Sequence, residues 1–358
     1  MSRPDEVGEA PFARDLLFSM LAQAFVVASE VQTDRSHNHW GIMLWQLNEI
    51  WPTGGWGSTE YGPASGYTAG QIAGGRWKPL QHYFERYLFR AVFAACGADG
   101  RCYAKNDDAV TAGGYGSVAI TRRLLRIADG KVVATFAAAN ASAPPGGGLA
   151  LAQGGGVSSW FCLDDSPLQQ PQRSCNASAA EVQAATGCGE ACVLLLSVDD
   201  LAAGAPLAAN AQLLANPSVL APLLSFRGNL TVSCGAAPAL LPDGSLPLYV
   251  SFPIDAPAGA IALLVTLTSR DVPGRFSDNA FALVGEGAAG EGSASLPPLC
   301  AGPAAACAAR VAAAPDGTAP PTLSFIPWVD GGREPLPAPA LAEALLATLR
   351  VQHLGNYA

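Results

Sequence analysis

Charge is what this sequence has least of. Asp, Glu, Lys and Arg make up only 14% of the 358 residues, while 50% are hydrophobic. That balance suits buried sheets and excludes a disordered chain. Basic residues are the scarcer kind: the formal net charge is −9 and the pI about 4.9. Such a surface repels nucleic acid and anionic membranes, so neither is expected as a partner. Long apolar runs are also missing. The best stretch, Leu16 to Ala28, is broken by Ser19 and Gln23 and is too short to span a bilayer. The opening "MSRPDEVGEAP" is acidic and lacks the basic start and apolar core of a signal peptide. There is no Gly-rich phosphate loop and no Ser/His/Asp order. Metal frameworks are lacking as well. His37-Asn38-His39 stands without further ligands, and Cys188 and Cys192 lack a second pair at zinc spacing. No cofactor and no metal are expected.

Cysteine is absent before Cys96, then appears nine times up to Cys307. Three N-glycosylation sequons fall in the same range: Asn140-Ala-Ser, Asn176-Ala-Ser and Asn229-Leu-Thr. Together they point to the secretory route, lysosomal, vacuolar or extracellular. With no signal at Met1, a further segment is expected to precede it in the natural protein. The odd count leaves at least one thiol without a partner inside the chain. Cys96–Cys102 is one expected bridge. Two more local bridges are expected among Cys162, Cys175, Cys188 and Cys192, with the pairing open.

Periodicity organises the chain. Phe12, Leu16, Met20, Ala24 and Ala28 predict a helix over 11–32, with Leu17, Leu21 and Phe25 widening its stripe. Gly41 to Leu47 is apolar without alternation, the pattern of a strand covered on both faces. A Gly-rich loop of functional length follows from Asn48 to Gly75. Trp77 to Val92 has helical spacing, with Pro79 in the first turn. Beyond Cys96, short strands are predicted at Val118–Arg126, Lys131–Ala138 and Cys192–Val198. A Pro-containing connector lies near residue 217. A second set follows at Leu230–Cys234, Pro247–Phe252, Ala260–Thr268, Phe281–Val284 and Thr322–Pro327, then a short helix within 335–350. Two such runs of strands suggest two β-sandwiches. Ala304 to Ala314 reads as part of an inserted loop carrying Cys300 and Cys307.

Several of these stretches also resemble one family. "WQLNEIWPTGGWGSTEYG" and "GGRWKPLQHYF" resemble the end of the catalytic barrel in β-mannosidases of glycoside hydrolase family two, of the lysosomal type. "VPGRFSDNAF" (Val272 to Phe281), "LSFIPW" (Leu323 to Trp328) and "CGEACVLLLSV" resemble segments of the sandwiches that follow that barrel. The matches occur in the family's order and span most of the chain. A whole barrel needs about 250 residues. The resemblance therefore implies an incomplete C-terminal piece of a (β/α)8 TIM barrel at 1–95. Immunoglobulin-like β-sandwiches follow at 96–216 and 217–358.

The resemblance implies a retaining hydrolase that removes terminal β-linked mannose from oligosaccharides. Such enzymes use two carboxylates about 5–5.5 Å apart, and in this family both precede the Trp-Gln-Leu-Asn segment. No catalytic residue is therefore expected in this chain. Glu49 shares only the Asn-Glu dipeptide with the family's acid/base. Ser29-Glu30-Val31 and Thr59-Glu60-Tyr61-Gly62 mimic the nucleophile motif, the first without its continuation and the second in the wrong order. Trp45 is expected to present an apolar platform to sugar, with Asn48 and Glu49 bonding hydroxyls and Trp51 and Trp56 stacking on sugar faces. The structural counter-readings are a core tryptophan and loop-closing aromatics. Arg275, Asp278 and Asn279 read as a structured turn. An alternative for the whole is a non-catalytic carbohydrate-binding or structural β-sandwich module left from a degenerate glycosidase. A sister β-galactosidase or β-glucuronidase activity fits the closing motifs less well.

Overall fold

The computed structural model describes residues 7–39, 41–45, 57, 59–60, 76–77, 88–108, 114–138, 149–151, 159–168, 174–188, 192–203, 205–215, 217–234, 238–269, 272, 274–277, 279–284, 323–327 and 336–357. Ala304–Ala314, Cys300 and Cys307 lie outside these residues.

The first element is α1 (Glu9–Ser36), which contains the predicted 11–32 helix. Its packed face differs from the predicted stripe. Leu17, Leu21, Ala24 and Val31 are buried, while Phe12 is exposed. Apolar residues lie almost all round this helix, so its own sequence does not select the face. Contact with the sandwich does. Pro11–Ser36 is long and apolar enough to cross a membrane by length and composition alone, contrary to the expectation drawn from Leu16–Ala28. Here the helix lays its buried face on the following domains.

One sequence expectation fails after α1. Residues 41–44 have no regular structure and Trp45 sits in a bend, where a buried strand was expected. A strand covered on both faces needs paired neighbours. Among the described residues every strand pair is antiparallel and none includes 41–45. The barrel piece is therefore not visible as such. Of the helix expected from Trp77 to Val92, the two end residues are in strands and most of the rest lies outside the described residues. β1 (Thr59–Glu60) pairs with β2 (Arg76–Trp77), and Val92 opens β3 (Val92–Cys96). Residues 78–87 lie outside the described set.

The first sandwich consists of β3, β4 (Arg101–Asn106), β5 (Tyr115–Arg126), β6 (Val132–Ala138), β7 (Leu149–Leu151), β8 (Ser159–Cys162), β9 (Cys192–Asp200) and β10 (Ala205–Leu213). One sheet runs β10-β9-β5-β6 with β7 also on β5, and the other runs β3-β4-β8. Val92, Ala94 and Ala104 of the small sheet meet Val118, Ile120 and Val198 of the large one. β5 alternates as a half-buried strand should, but one inward position is Arg122. Its guanidinium donates to the Cys162 carbonyl and to Asp165, and lies 5.0 Å from the Phe161 ring. Burial lowers its pKa, and Asp165 opposes that shift. Three disulfides staple the sandwich: Cys96–Cys102, Cys162–Cys175 and Cys188–Cys192. The first joins directly opposed residues of the β3–β4 hairpin. A helix between the bridges, α2 (Ala179–Ala185), starts in a capping box in which Ser178 and Glu181 bond reciprocally.

A short helix α3 (Pro217–Leu220) leads to the second sandwich, with β11 (Thr231–Ser233), β12 (Leu246–Ser251), β13 (Ile261–Ser269), β14 (Gly274–Phe276), β15 (Phe281–Val284), β16 (Leu323–Pro327), α4 (Ala338–Thr348) and β17 (Leu349–Gln352). The sheets run β11-β12-β16-β14 and β15-β13-β17. Leu246, Leu248, Val250, Leu323 and Phe325 face Val265, Leu267, Phe281 and Leu283, and Leu341 and Leu345 of α4 close one end. Cys234, the free cysteine among the described residues, is buried. Burial pushes its thiol up to about 11, which makes it inert rather than reactive.

Gly274 lies against this core. A Cβ there would sit 2.3 Å from the Phe325 ring and 2.6 Å from the Ile326 carbonyl. Gly274→Ala is expected to cost about 2 kcal/mol through overpacking, read as a lower denaturant midpoint. An unchanged midpoint would show that β14 and β16 can separate freely.

Candidate functional site

The end of α1 holds a densely connected polar group. Arg35 has a side chain only 7% exposed. It donates to the carbonyl of Leu88, to the carbonyl of Arg90 at 2.8 Å, and to Asp107 Oδ2 at 2.9 Å. Its guanidinium carbon lies 4.9 Å from the centre of the Phe93 ring. Lys105, also buried, donates to the Arg35 carbonyl at 3.3 Å and lies 3.5 Å from Asp107 Oδ1. Two buried cations thus share one carboxylate and three carbonyls. Pairing and hydrogen bonding offset the cost of burying them.

An aromatic ladder continues from this knot across the β3-β4-β8 sheet. Phe93 and Tyr103 lie 6.1 Å apart, and Tyr103 and Trp160 5.6 Å. Arg101 stands 5.4 Å from the Trp160 ring. Tyr103 and Trp160 are direct cross-strand partners, and such pairs stabilise a sheet. The Tyr103 hydroxyl donates to the Gln32 carbonyl of α1 at 2.8 Å. Burial raises its pKa, so the phenol stays neutral. Gln212 of β10 bridges the Gln32 side chain and both backbone groups of Cys96.

Arg35 therefore ties the point where the chain leaves for the Trp-rich segment to the point where it returns. Trp45, on the outgoing side, is 81% exposed. Asn48, Glu49, Trp51 and Trp56 lie outside the described residues. Thr59 and Glu60, the nearest mimic of a nucleophile motif, form a strand with Arg76 and Trp77. β2 lies beside β14 of the second sandwich. The Arg275–Asn279 turn divides. Arg275 is exposed, while Asn279 is buried and its amide bonds both the N–H and the carbonyl of Leu267. Asp278 lies outside the described residues.

The His37-Asn38-His39 motif forms a local turn. His39 Nδ1 lies 2.9 Å from Asp34 Oδ1 and His37 Nδ1 lies 2.9 Å from the Thr33 carbonyl. Among the described residues no group of three or more His, Cys, Asp or Glu side chains could hold a metal ion. A cavity of about 410 Å³ lies between α1, the first sandwich and β13. Its lining includes the amides of Gln32, Gln183 and Gln212 but no titratable side chain, so it offers no acid–base chemistry. Of the sequon asparagines, Asn176 and Asn229 are exposed, and Asn140 lies outside the described residues.

Residues 250–288, from the end of β12 past β15, match the Ig_mannosidase family, an Ig-fold domain. A β-mannosidase of Bos taurus is 39% identical over 61 residues, which is 17% of this chain and 5% of the bovine protein. Two solved structures each align with 74% of this chain and 30% of their own, at 14% identity. Both are of the same enzyme, described in one as an exo-chitosanase from Amycolatopsis orientalis, with a TM-score of 0.47, and in the other as an exo-β-D-glucosaminidase, with a TM-score of 0.45. The chain spans less than a third of either structure. Over part of its length it is similar to glycoside hydrolases.

Arg35→Met should destabilise the protein by about 2 kcal/mol, because it leaves the Leu88 and Arg90 carbonyls without their donor and Asp107 with Lys105 alone. Equilibrium denaturation checks this. A loss under ~0.5 kcal/mol would mean that the guanidinium contributes little beyond its solvated alternative.

Proposed function

We propose that this chain is the sandwich-bearing part of a β-mannosidase-like retaining glycoside hydrolase that removes terminal β-linked mannose from oligosaccharides. The observation that carries this is the match of residues 250–288 to the mannosidase Ig-fold domain, supported by the likeness to the bovine β-mannosidase. In this reading the chain has a barrel piece at 1–95 and sandwiches at 96–216 and 217–358. The two carboxylates that do the chemistry belong to a barrel portion outside this sequence.

The part left to this chain is substrate contact. Trp45 offers its indole face to the sugar, where C–H groups pack on the ring and the N–H can donate. Its exposure supports that role. Asn48 and Glu49 bond sugar hydroxyls, and Trp51 and Trp56 extend the aromatic surface. Glu49 does not serve as the acid, since a retaining mechanism needs a second carboxylate across the scissile bond. Three disulfides and the exposed Asn176 and Asn229 support passage through the secretory route. A second reading, a non-catalytic sandwich module, is favoured by the pairing of Thr59–Glu60 with β2, which gives that motif a structural use.

The chain alone should hydrolyse no aryl β-mannoside, yet bind an oligosaccharide ending in β-mannose. Trp45→Ala should weaken that binding about tenfold, or ~1.4 kcal/mol, in a fluorescence titration. Hydrolysis that Glu49→Gln abolishes would make Glu49 the acid and overturn the assignment. Equal affinity of the native chain and Trp45→Ala would remove Trp45 from the sugar site.

A further inference from the structure

The end of the chain closes on the second sandwich through one histidine. His353 follows β17 and opens the final turn, Leu354–Tyr357, and is 2% exposed. Its Nε2 lies 2.8 Å from the Gly228 carbonyl, and its Nδ1 faces the Gly355 N–H at 3.2 Å. A carbonyl can only accept and an N–H can only donate. This pair of partners therefore fixes one state: neutral imidazole with its proton on Nε2. The ring stacks on Phe226 at 5.3 Å, and Phe226 meets Phe252 edge-on at 4.9 Å. Asn356 completes the closure. Its Oδ1 accepts the His353 N–H, and its amide donates to the carbonyls of Arg227 and Gly228. Fit is tight, since a Cβ on Gly355 would lie 2.3 Å from the Phe226 carbonyl.

Protonation breaks this arrangement. An imidazolium has a second N–H on Nδ1, aimed at the Gly355 N–H, so a hydrogen bond becomes a donor–donor contact. Among the described residues the charge would also be buried without a counter-ion. Arg227 lies on the segment bearing Phe226 and Gly228, Arg350 on β17 and the Tyr357 phenol on the final turn. Neither β13 nor the turn at 221–223, both packed on the final turn, has a titratable side chain. Asp255, beyond Phe252, is exposed to solvent.

We propose that His353 is an acid-released latch: protonating it frees β17 and the final turn from the second sandwich and bares the edge of β13. Burial holds the imidazole below its ordinary range, against the opposing bond to Gly228. The sign follows. The latch is fully closed above the unfolded value near 6.5. Below it, the open form gains a proton that the closed form refuses, so closure weakens as pH falls. β17 is an edge strand held on one side by β13, so it can leave without dismantling the sheet. The latch belongs to the sandwich alone and does not depend on the glycosidase reading.

The test is hydrogen exchange of the full chain at pH 7.5 and 5.0, comparing protection factors for residues 349–357 with those for β9. Protection of 349–357 should fall by up to tenfold per pH unit below 6.5, while β9 keeps its own. His353→Gln should remove the pH dependence. Equal protection of 349–357 at both pH values, or an equal fall in His353→Gln, overturns the proposal. Should the variant not fold, NMR titration of the native imidazole decides. A pKa well below 6.5 supports the latch, and one at or above 6.5 refutes it.

Discussion

Arg35 holds three distant parts of the chain at one point: the end of α1, the 88–90 segment and Asp107 beyond β4. A buried guanidinium is costly to place and tolerates no missing partner, so its geometry constrains all three. Without it the apolar face of α1 would still favour burial, but several faces of so apolar a helix would compete. The clamp, together with the Tyr103 and Gln212 bonds to Gln32, selects one. Leu17, Leu21, Ala24 and Val31 then share a core with Phe93, Tyr103, Val193 and, from the second sandwich, Ile261 and Leu263. The first sandwich is thus the hub on which α1 and the second sandwich both rest.

That hub also frames the Trp-rich segment. Arg35 ties its two ends together beside a disulfide-stapled sheet, and β2 lies beside β14 of the other sandwich. Binding residues on loops gain precision from a rigid scaffold beneath them.

Much of the sandwich architecture was legible in the sequence because alternation and β-branched runs survive in single strands. β5, β9, β12, β13, β15 and β16 lie where the pattern put them. β10 was missed because "APLAANAQL" has weak strand propensity and is recruited by its ladder with β9. β14 and β17 were missed because three or four residues show no period. The stretch at 41–45 failed in the opposite direction: apolarity suggested a buried strand, yet burial needs partners that local sequence does not supply. Cysteine spacing suggested local bridges and left the pairing among Cys162, Cys175, Cys188 and Cys192 open; the structure supplies it. Arg35 and His353 left no local signature, since their partners lie 53 and 125 residues away. The sugar-facing assignment came from motif resemblance and the exposure of Trp45, not from periodicity.

The central claim is that α1 and the first sandwich are one cooperative unit joined at Arg35. Native-state hydrogen exchange of α1 against β3 and β4 in low denaturant tests it most directly. The account predicts that the slowest amides of 24–35 exchange with the same opening free energy and denaturant slope as those of β3 and β4. Exchange of α1 orders of magnitude faster than that of the sandwich would contradict it, showing a separable helix that merely rests on the surface.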